Sequence, residues 1–322
     1  MEPQTFVMYG FGEIGRLITA LALRQGFRCV GVIDVNPSLV GADVGEVLRI
    51  GDMGVKIDGD AERVIEGTKP DVVIHATGSY LDRVYPQLSL CAKLGVDVVS
   101  TCETLVYPYY RYPSLAAQLN EEAKKGGARI VGAGINPGFL FDYLPAILTT
   151  PCHEIKSISI TRSLDASRRR QSFQKKIGIG LSENEWMELM NSGKITGHVG
   201  YAESIALLAH LLNLELVNVH EEQKPLLGDD GRALGLQGIA EAITKENIQI
   251  RLRFVARLDN EEYDEIRIEG EPSITWRSSG TPGDIATASV ILNVAKLIHK
   301  TGVGLATLAD LPPLTKRHTA RK

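Results

Sequence analysis

Glu103 and Cys102 stand side by side in Ser100-Thr101-Cys102-Glu103, and each residue type suggests a reaction. A carboxylate at a ligand site can hold a cationic amine, or take a proton where desolvation raises its pKa. At the start of a helix it would instead only complement the dipole. A thiolate beside a nicotinamide can attack an aldehyde, and hydride then leaves to give a thioester. A small cysteine at a strand end is more often simply packed. No histidine neighbours Cys102 in sequence, so an activating base would have to come through the fold, from His75 or His198. His75 has its own alternatives: contact with a nicotinamide, proton relay, or a satisfied place in the core.

A glycine turn near the start of the chain narrows these options. Thr5 to Asp34 reads as strand, Gly10-Phe11-Gly12-Glu13-Ile14-Gly15, helix, strand, acid, which is the order a dinucleotide site needs. Gly10 permits the tight turn, Gly12 lets backbone approach a pyrophosphate, and Gly15 lets the helix lie close. The phosphates would rest on free N–H groups at the helix start, where the dipole favours an anion. Ile14, Leu17, Ile18, Leu21 and Ala22 are expected to form the buried helical face. Asp34 lies 19 residues past Gly15, where a carboxylate can bind ribose hydroxyls. Its charge would repel a 2′-phosphate, and no Arg or Lys follows in DVNPSL, so NAD is favoured over NADP.

The elements that must position these residues alternate between β and α. Strands are expected near Val55-Lys56-Ile57, at Asp71–His75, at Val96–Ser100 and from Arg129 to Gly132. Helices are expected at Asp60–Gly67, Tyr80–Leu94 and Ser114–Lys125. The pattern argues for a doubly wound parallel sheet, an α/β Rossmann fold. Ligands bind beyond the carboxyl ends of such strands. The turn Gly10–Gly15, Asp34, His75-Ala76-Thr77-Gly78, Thr101-Cys102-Glu103 and Gly134–Gly138 should therefore surround one crevice.

Near residue 150 the pattern changes. Glu154–Thr161, Ile248–Leu258 and Tyr263–Glu269 alternate as half-buried antiparallel strands do, and Glu183–Asn191 and Tyr201–Leu212 look helical. This predicts a second, α+β domain with a mostly antiparallel sheet. Asp284–Ile298 reads as a helix apolar nearly all round, as buried helices are. The expected division is 1–136 for the dinucleotide domain and 137–283 for substrate binding and dimerisation, with 284–322 packing back on the first. His198, between glycines, could cap the next helix. Asn136 could bond substrate or cap a helix beginning at Pro137. Arg162, Arg168, Arg169, Arg170, Lys175 and Lys176 form a basic run: a solvated face, or one member reaching substrate or phosphate.

The bulk numbers set limits. With 322 residues and 44% apolar content the chain can build two cores. A net charge of -4 argues against a nucleic-acid or membrane-surface protein. The basic tail TKRHTARK reads as a frayed end. No apolar run reaches membrane-spanning length, and the chain enters a strand at once, with no room for a signal peptide. The four cysteines show no metal spacing, so no metal site is expected, and a reducing, cytoplasmic setting is the simplest account.

Seven stretches together carry a resemblance. STCETLVYP (100–108), GAGINPGFLFDYLP (132–145), LDASRRR with QKKIGIGLS (164–170 and 174–182), GHVGYAES (197–204), and GDIATASVILNV with GLATLADLP (283–294 and 304–312) are similar to 2,4-diaminopentanoate dehydrogenase and the related native amine dehydrogenases. These belong to the dihydrodipicolinate reductase-like superfamily, and the likeness runs along nearly the whole chain. It implies reversible oxidative deamination of an amine by NAD(P)+, with a ketone or aldehyde and ammonia as the other pair. It gives Glu103 the role of catalytic carboxylate. It places Asn136, Arg162 and Phe139 or Phe141 at the substrate, and it implies a homodimer built through the second-domain sheet. The His-His and Lys signature of dihydrodipicolinate reductase itself is missing. Other classes stay open on sequence: imine reduction of the dihydrodipicolinate reductase kind, Cys102-dependent aldehyde oxidation, or a nucleotide sensor without turnover.

Overall fold

The computed structural model describes residues 4–316, so residues 317–322 of the basic tail lie outside the described residues. Two compact units are present. One holds the chain up to Phe139 together with everything from Gly283 onward; the other is Leu140–Pro282.

The first unit opens with β1 (Thr5–Tyr9), α1 (Glu13–Arg24), β2 (Arg28–Ile33), α2 (Val44–Leu48), β3 (Ile57–Asp58) and α3 (Ala61–Thr68). It continues with β4 (Val72–His75), α4 (Leu81–Lys93), β5 (Val98–Ser100), α5 (Pro108–Arg111), α6 (Pro113–Gly126) and β6 (Arg129–Gly132). Strands β4 and β5 are buried at every position, which is why they read as continuous apolar runs rather than alternating ones. The buried stripe of α1 differs from the expected face. It is Gly15, Ile18, Thr19 and Ala22, while Leu17 and Leu21 stay half-buried. Small residues win because the helix approaches its own entry turn closely: a Cβ on Gly15 would collide with the Gly10 carbonyl oxygen. Thr19 keeps that approach polar-satisfied by donating its hydroxyl to the Gly15 carbonyl at 2.8 Å.

The second unit runs through α7 (Tyr143–Leu148), β7 (Glu154–Asp165), α8 (Gln171–Lys176), α9 (Glu183–Asn191) and α10 (Tyr201–Leu211). Then come β8 (Leu216–Leu227), β9 (Ala233–Thr244), β10 (Gln249–Arg257), β11 (Tyr263–Glu271) and β12 (Ile274–Ser278). Its sheet has the order β12-β11-β7-β10-β9-β8, antiparallel except for the β7–β10 pair. Helix α10 is buried from Tyr201 to Ala209 and packs on α7, β8, β9 and β10, so it covers one face of that sheet. The capping box of α9, Ser182 with Glu185, fixes its start where the sequence placed it. The long β8–β9 hairpin is absent from the sequence reading. Strand β8 lies at the sheet edge with no fully buried residue and carries Pro225, so no clean period-2 pattern marks it.

From Gly283 the chain completes the first unit with α11 (Gly283–Ala295) and β13 (Gly304–Ala306). Helix α11 packs on α1, β4 and β5, and β13 pairs with β6. The finished sheet has seven strands in the order β13-β6-β5-β4-β1-β2-β3, parallel throughout. The α/β Rossmann fold and the mostly antiparallel second sheet both match the sequence expectation.

Candidate active site

The first unit gathers the expected segments at one edge. β2, β1, β4, β5 and β6 are consecutive neighbours, and Asp34, the glycine turn, Ala76-Thr77, Thr101–Glu103 and Ala133-Gly134 all follow their carboxyl ends. The strand order reverses at β1, the switch point where α/β sheets bind ligands.

The glycine turn has the form a dinucleotide requires. Gly10 adopts φ +94°, and a side chain there would stand 2.5 Å from the Ala76 carbonyl oxygen, so β4 is held against the turn. A Cβ on Gly12 would meet no protein atom within 4 Å, leaving backbone open to a pyrophosphate. Gly12 is also the N-cap of α1: its carbonyl accepts the Arg16 N–H at 3.0 Å, and it has no side chain to cap the N–H groups of the first turn. The Phe11 side chain is buried, so only its backbone serves the turn. Its N–H donates to Asp34 Oδ2 at 2.6 Å, and Arg16 Nε donates to its carbonyl at 3.0 Å. Asp34 Oδ1 accepts from Asn36 N–H at 2.8 Å. Half-buried Asp34 thus ties the end of β2 to the glycine turn. Glu13 is exposed and Ile14 half-buried on the same first turn. These residues fit a nicotinamide dinucleotide.

Glu103 is half-buried and opens a 3₁₀ turn, Glu103–Leu105, directly beyond β5. Thr104 pins this turn: its Oγ1 accepts Leu81 N–H at 2.8 Å and its N–H donates to Ser79 O at 3.1 Å. Beneath lies Gly132, where a Cβ would come within 2.5 to 2.6 Å of the Leu105 carbonyl and the Val106 nitrogen. Thr101, half-buried, donates its N–H to the His75 carbonyl at 2.9 Å.

Two side chains expected at the cofactor do other work. Cys102 has no exposed surface, and burial, with Glu103 beside it, pushes its thiol up to about 12. A thiol with no exposed surface that is held protonated is a poor nucleophile, which counts against the aldehyde-oxidation alternative. The His75 ring is also fully buried, so it cannot face a nicotinamide. It is bonded to Ser100, Gln87 and Thr77, and burial lowers its pKa to about 4. Beyond a serine closing the apolar run Val96–Ser100, nothing in the sequence gives Ser100, Gln87 or Thr104 a part in holding this site.

Of the substrate candidates, Asn136 and Phe139 belong to the first unit and both are half-buried. Residues 136–140 form a turn, so no helix begins at Pro137; the next helix is α7, capped by Asp142 through Tyr143 N–H. Phe141 and Arg162 belong to the second unit and are buried. The Phe141 ring meets His198 edge-on at 5.8 Å, and His198 stacks on Phe254 at 4.7 Å. His198 is therefore packed among rings, while Gly200 caps α10. Burial, then Lys176 and Arg162, hold its pKa well below the ordinary histidine value. Arg162 Nη1 lies 3.3 Å from Asp264 Oδ1, and its Nη2 donates to the Thr281 carbonyl at 2.7 Å. Burial lowers its pKa to about 10 even with Asp264 alongside. Within the basic run, exposed Arg168 pairs with Asp165 and Arg169 with Glu262.

Among the described residues no group of three or more His, Cys, Asp or Glu could hold a metal, and no helix is long and apolar enough to cross a membrane. The four cysteines are free.

Comparison with known proteins places this geometry among relatives. The sequence model of the 2,4-diaminopentanoate dehydrogenase C-terminal domain matches residues 139–319, more than half of the chain. That of the dihydrodipicolinate reductase N-terminus matches residues 5–104. The chain is 27% identical to 2,4-diaminopentanoate dehydrogenase of Acetoanaerobium sticklandii over 97% of its own length and 94% of that protein. It is 27% identical to an amine dehydrogenase of Streptomyces virginiae, over 67% of this chain and 61% of the other. The structure of an amine dehydrogenase from Mycobacterium smegmatis superposes with a TM-score of 0.89 at 24% identity, covering 98% of this chain and 97% of that one.

Proposed function

The chain belongs to the 2,4-diaminopentanoate dehydrogenase family, and on that premise we propose that it is an NAD-dependent amine dehydrogenase. The reaction is reversible oxidative deamination of an amine to a ketone or aldehyde and ammonia. The observation that carries this reading is Glu103, half-buried on a pinned turn at the sheet edge that also holds the open glycine turn. Two relatives named for amine and diaminopentanoate oxidation support the substrate class.

A bound nicotinamide supplies the hydride acceptor. The protein's own part follows from charge. Removing hydride from the amine carbon leaves an iminium cation, and the Glu103 carboxylate stabilises it. Glu103 then orients water, takes a proton as the carbinolamine forms, and gives it up as ammonia departs. In the reverse direction it holds ammonia against the carbonyl. A preorganised charge aimed at a developing cation acts most strongly where water is excluded. Asn136 and Phe139 line the substrate side in this reading. Asp34 favours NAD by occupying the place a 2′-phosphate would need. Arg162 is already neutralised by Asp264, which argues against its binding a substrate carboxylate.

The same reading makes the protein a homodimer through the second sheet. On the face away from α10, Arg251 pairs with Glu241 and Arg253 bonds Gln237, leaving a polar, patterned surface. The deciding experiment is NADH oxidation by a panel of ketones, aldehydes and 2-oxo acids with and without ammonium, beside the reverse assay with amines. Turnover that requires ammonium is expected. Carbonyl reduction that ignores ammonium, or tight NADH binding with no turnover, would overturn the proposal.

A further inference from the structure

A buried chain of polar groups links two strand ends beneath Glu103. His75 closes β4 and Ser100 closes β5, and the two are register partners in the parallel ladder. His75 Nδ1 lies 2.8 Å from Ser100 Oγ. On its other side, His75 Nε2 lies 2.8 Å from Gln87 Oε1 and 2.8 Å from Thr77 Oγ1. Ser100 Oγ also accepts the Cys102 N–H at 3.1 Å.

Proton bookkeeping fixes the directions. A side-chain carbonyl oxygen such as Gln87 Oε1 only accepts, so it takes both the Nε2–H and the Thr77 hydroxyl proton. Nδ1 is then a bare lone pair, and the Ser100 hydroxyl donates to it. That leaves the Ser100 oxygen free to accept from Cys102. The scheme closes only with a neutral ring, in keeping with a buried imidazole whose pKa lies near 4.

The geometric consequence falls on Glu103. The last ladder bond on this side is Thr101 N–H to His75 O, so the sheet itself does not hold the next peptides. The Cys102 amide, one residue before Glu103, is held by a side chain. Thr104 secures the turn from the other side through Leu81 and Ser79. We propose that His75 and Ser100 are positioning residues, which set the aim of the Glu103 carboxylate through the Cys102 peptide and link it to Thr77 at the cofactor edge. This rests on the reading that Glu103 is the catalytic carboxylate.

The test is a variant series in the ammonium-dependent assay, with NADH affinity measured by fluorescence titration as proof of an intact first unit. Ser100→Ala and His75→Leu should each lower kcat about tenfold while NADH affinity changes less than about twofold. His75→Asn, whose side-chain amide reaches the Nδ1 position, should recover most of the loss. Ser100→Ala should add little to Glu103→Gln, because a positioning residue has nothing left to aim. Full kcat in Ser100→Ala, or losses that multiply in the double variant, would overturn the inference. A slow Glu103→Gln with a fast Ser100→Ala would sink this inference alone. A Glu103→Gln variant with wild-type kcat would remove the proposed function as well.

Discussion

Arg162 and Asp264 face each other across β7 and β11 and form an ion pair at 3.3 Å, with 2% and 3% of their side chains exposed. Both also grip Thr281: Arg162 donates to its carbonyl, and Asp264 accepts its N–H at 2.8 Å. Breaking a buried pair from one side strands a charge and costs about 3–5 kcal/mol, whereas replacing both by apolar residues is far milder. Asp264→Ala should therefore lower the denaturant midpoint strongly, and Arg162→Met with Asp264→Leu should recover much of the loss. The pairing also predicts that 2-oxo acids gain no kcat/KM advantage over ketones of equal length.

Glu103→Gln keeps the side chain's size and removes its charge. Ammonium-dependent turnover should fall about a hundredfold, the loss of roughly 3 kcal/mol that preorganised charges contribute elsewhere. NADH affinity should stay near wild type. Steady-state kinetics beside fluorescence titration separates the two, and undiminished turnover would take the role away from Glu103.

For Asp34→Ala the expected outcome is a higher KM for both cofactors, because the Phe11 N–H loses its acceptor. The rise should be larger for NAD, so the NADP/NAD ratio of kcat/KM increases. An unmoved ratio would show that Asp34 does not select the ribose.

Gly12 and Gly15 separate ligand space from packing. Gly12→Ala meets no protein atom within 4 Å, so thermal stability should hold while NADH affinity falls at least tenfold. Gly15→Ala drives a methyl into the Gly10 carbonyl and should lower both the melting temperature and the affinity. Equal affinity in Gly12→Ala and wild type would place the pyrophosphate elsewhere.

His75 predicts an acid limb in stability. Its native pKa lies near 4, below the ordinary value of 6.5, so the unfolded chain binds the proton first. Stability is then complete above about pH 6.5 and declines as pH falls towards 4, by about 3 kcal/mol over that window. His198, lowered for the same reason, adds in the same direction. Urea midpoints between pH 7 and 4 should show the slope, and His75→Asn should flatten it in part.

Much of the first unit was legible because its signals are local. A glycine turn between an apolar run and an amphipathic helix, and buried strands ending in polar residues, mark a parallel sheet without long-range knowledge. The second sheet was legible where strands alternate, as in Ile248–Leu258, and lost where packing needs small residues. In β9, a side chain on Gly238 would collide with the Tyr201 hydroxyl, so glycine and alanine stand where an apolar period would have shown. The site followed the same division. The positions of Asp34 and Glu103 could be read from strand ends. Burial of Cys102 and His75 stands in the sequence as one alternative, but the side chains that hold His75, and the burial of Phe141, depend on neighbours distant in sequence. The Asp264 opposite Arg162 could not be read either, since cross-strand register joins residues 102 positions apart.

The return of the chain to its first unit has a consequence during synthesis. The stretch up to Phe139 leaves the ribosome without β13 and α11, so β6 presents an unpaired edge and α1 lacks a helix that packs on it. The whole of Leu140–Pro282 must be made before those partners appear. A nascent nucleotide domain is thus exposed to strand-edge association for the time needed to translate the inserted unit. Messages truncated after residue 139 should yield aggregates and not a free-standing cofactor-binding fragment.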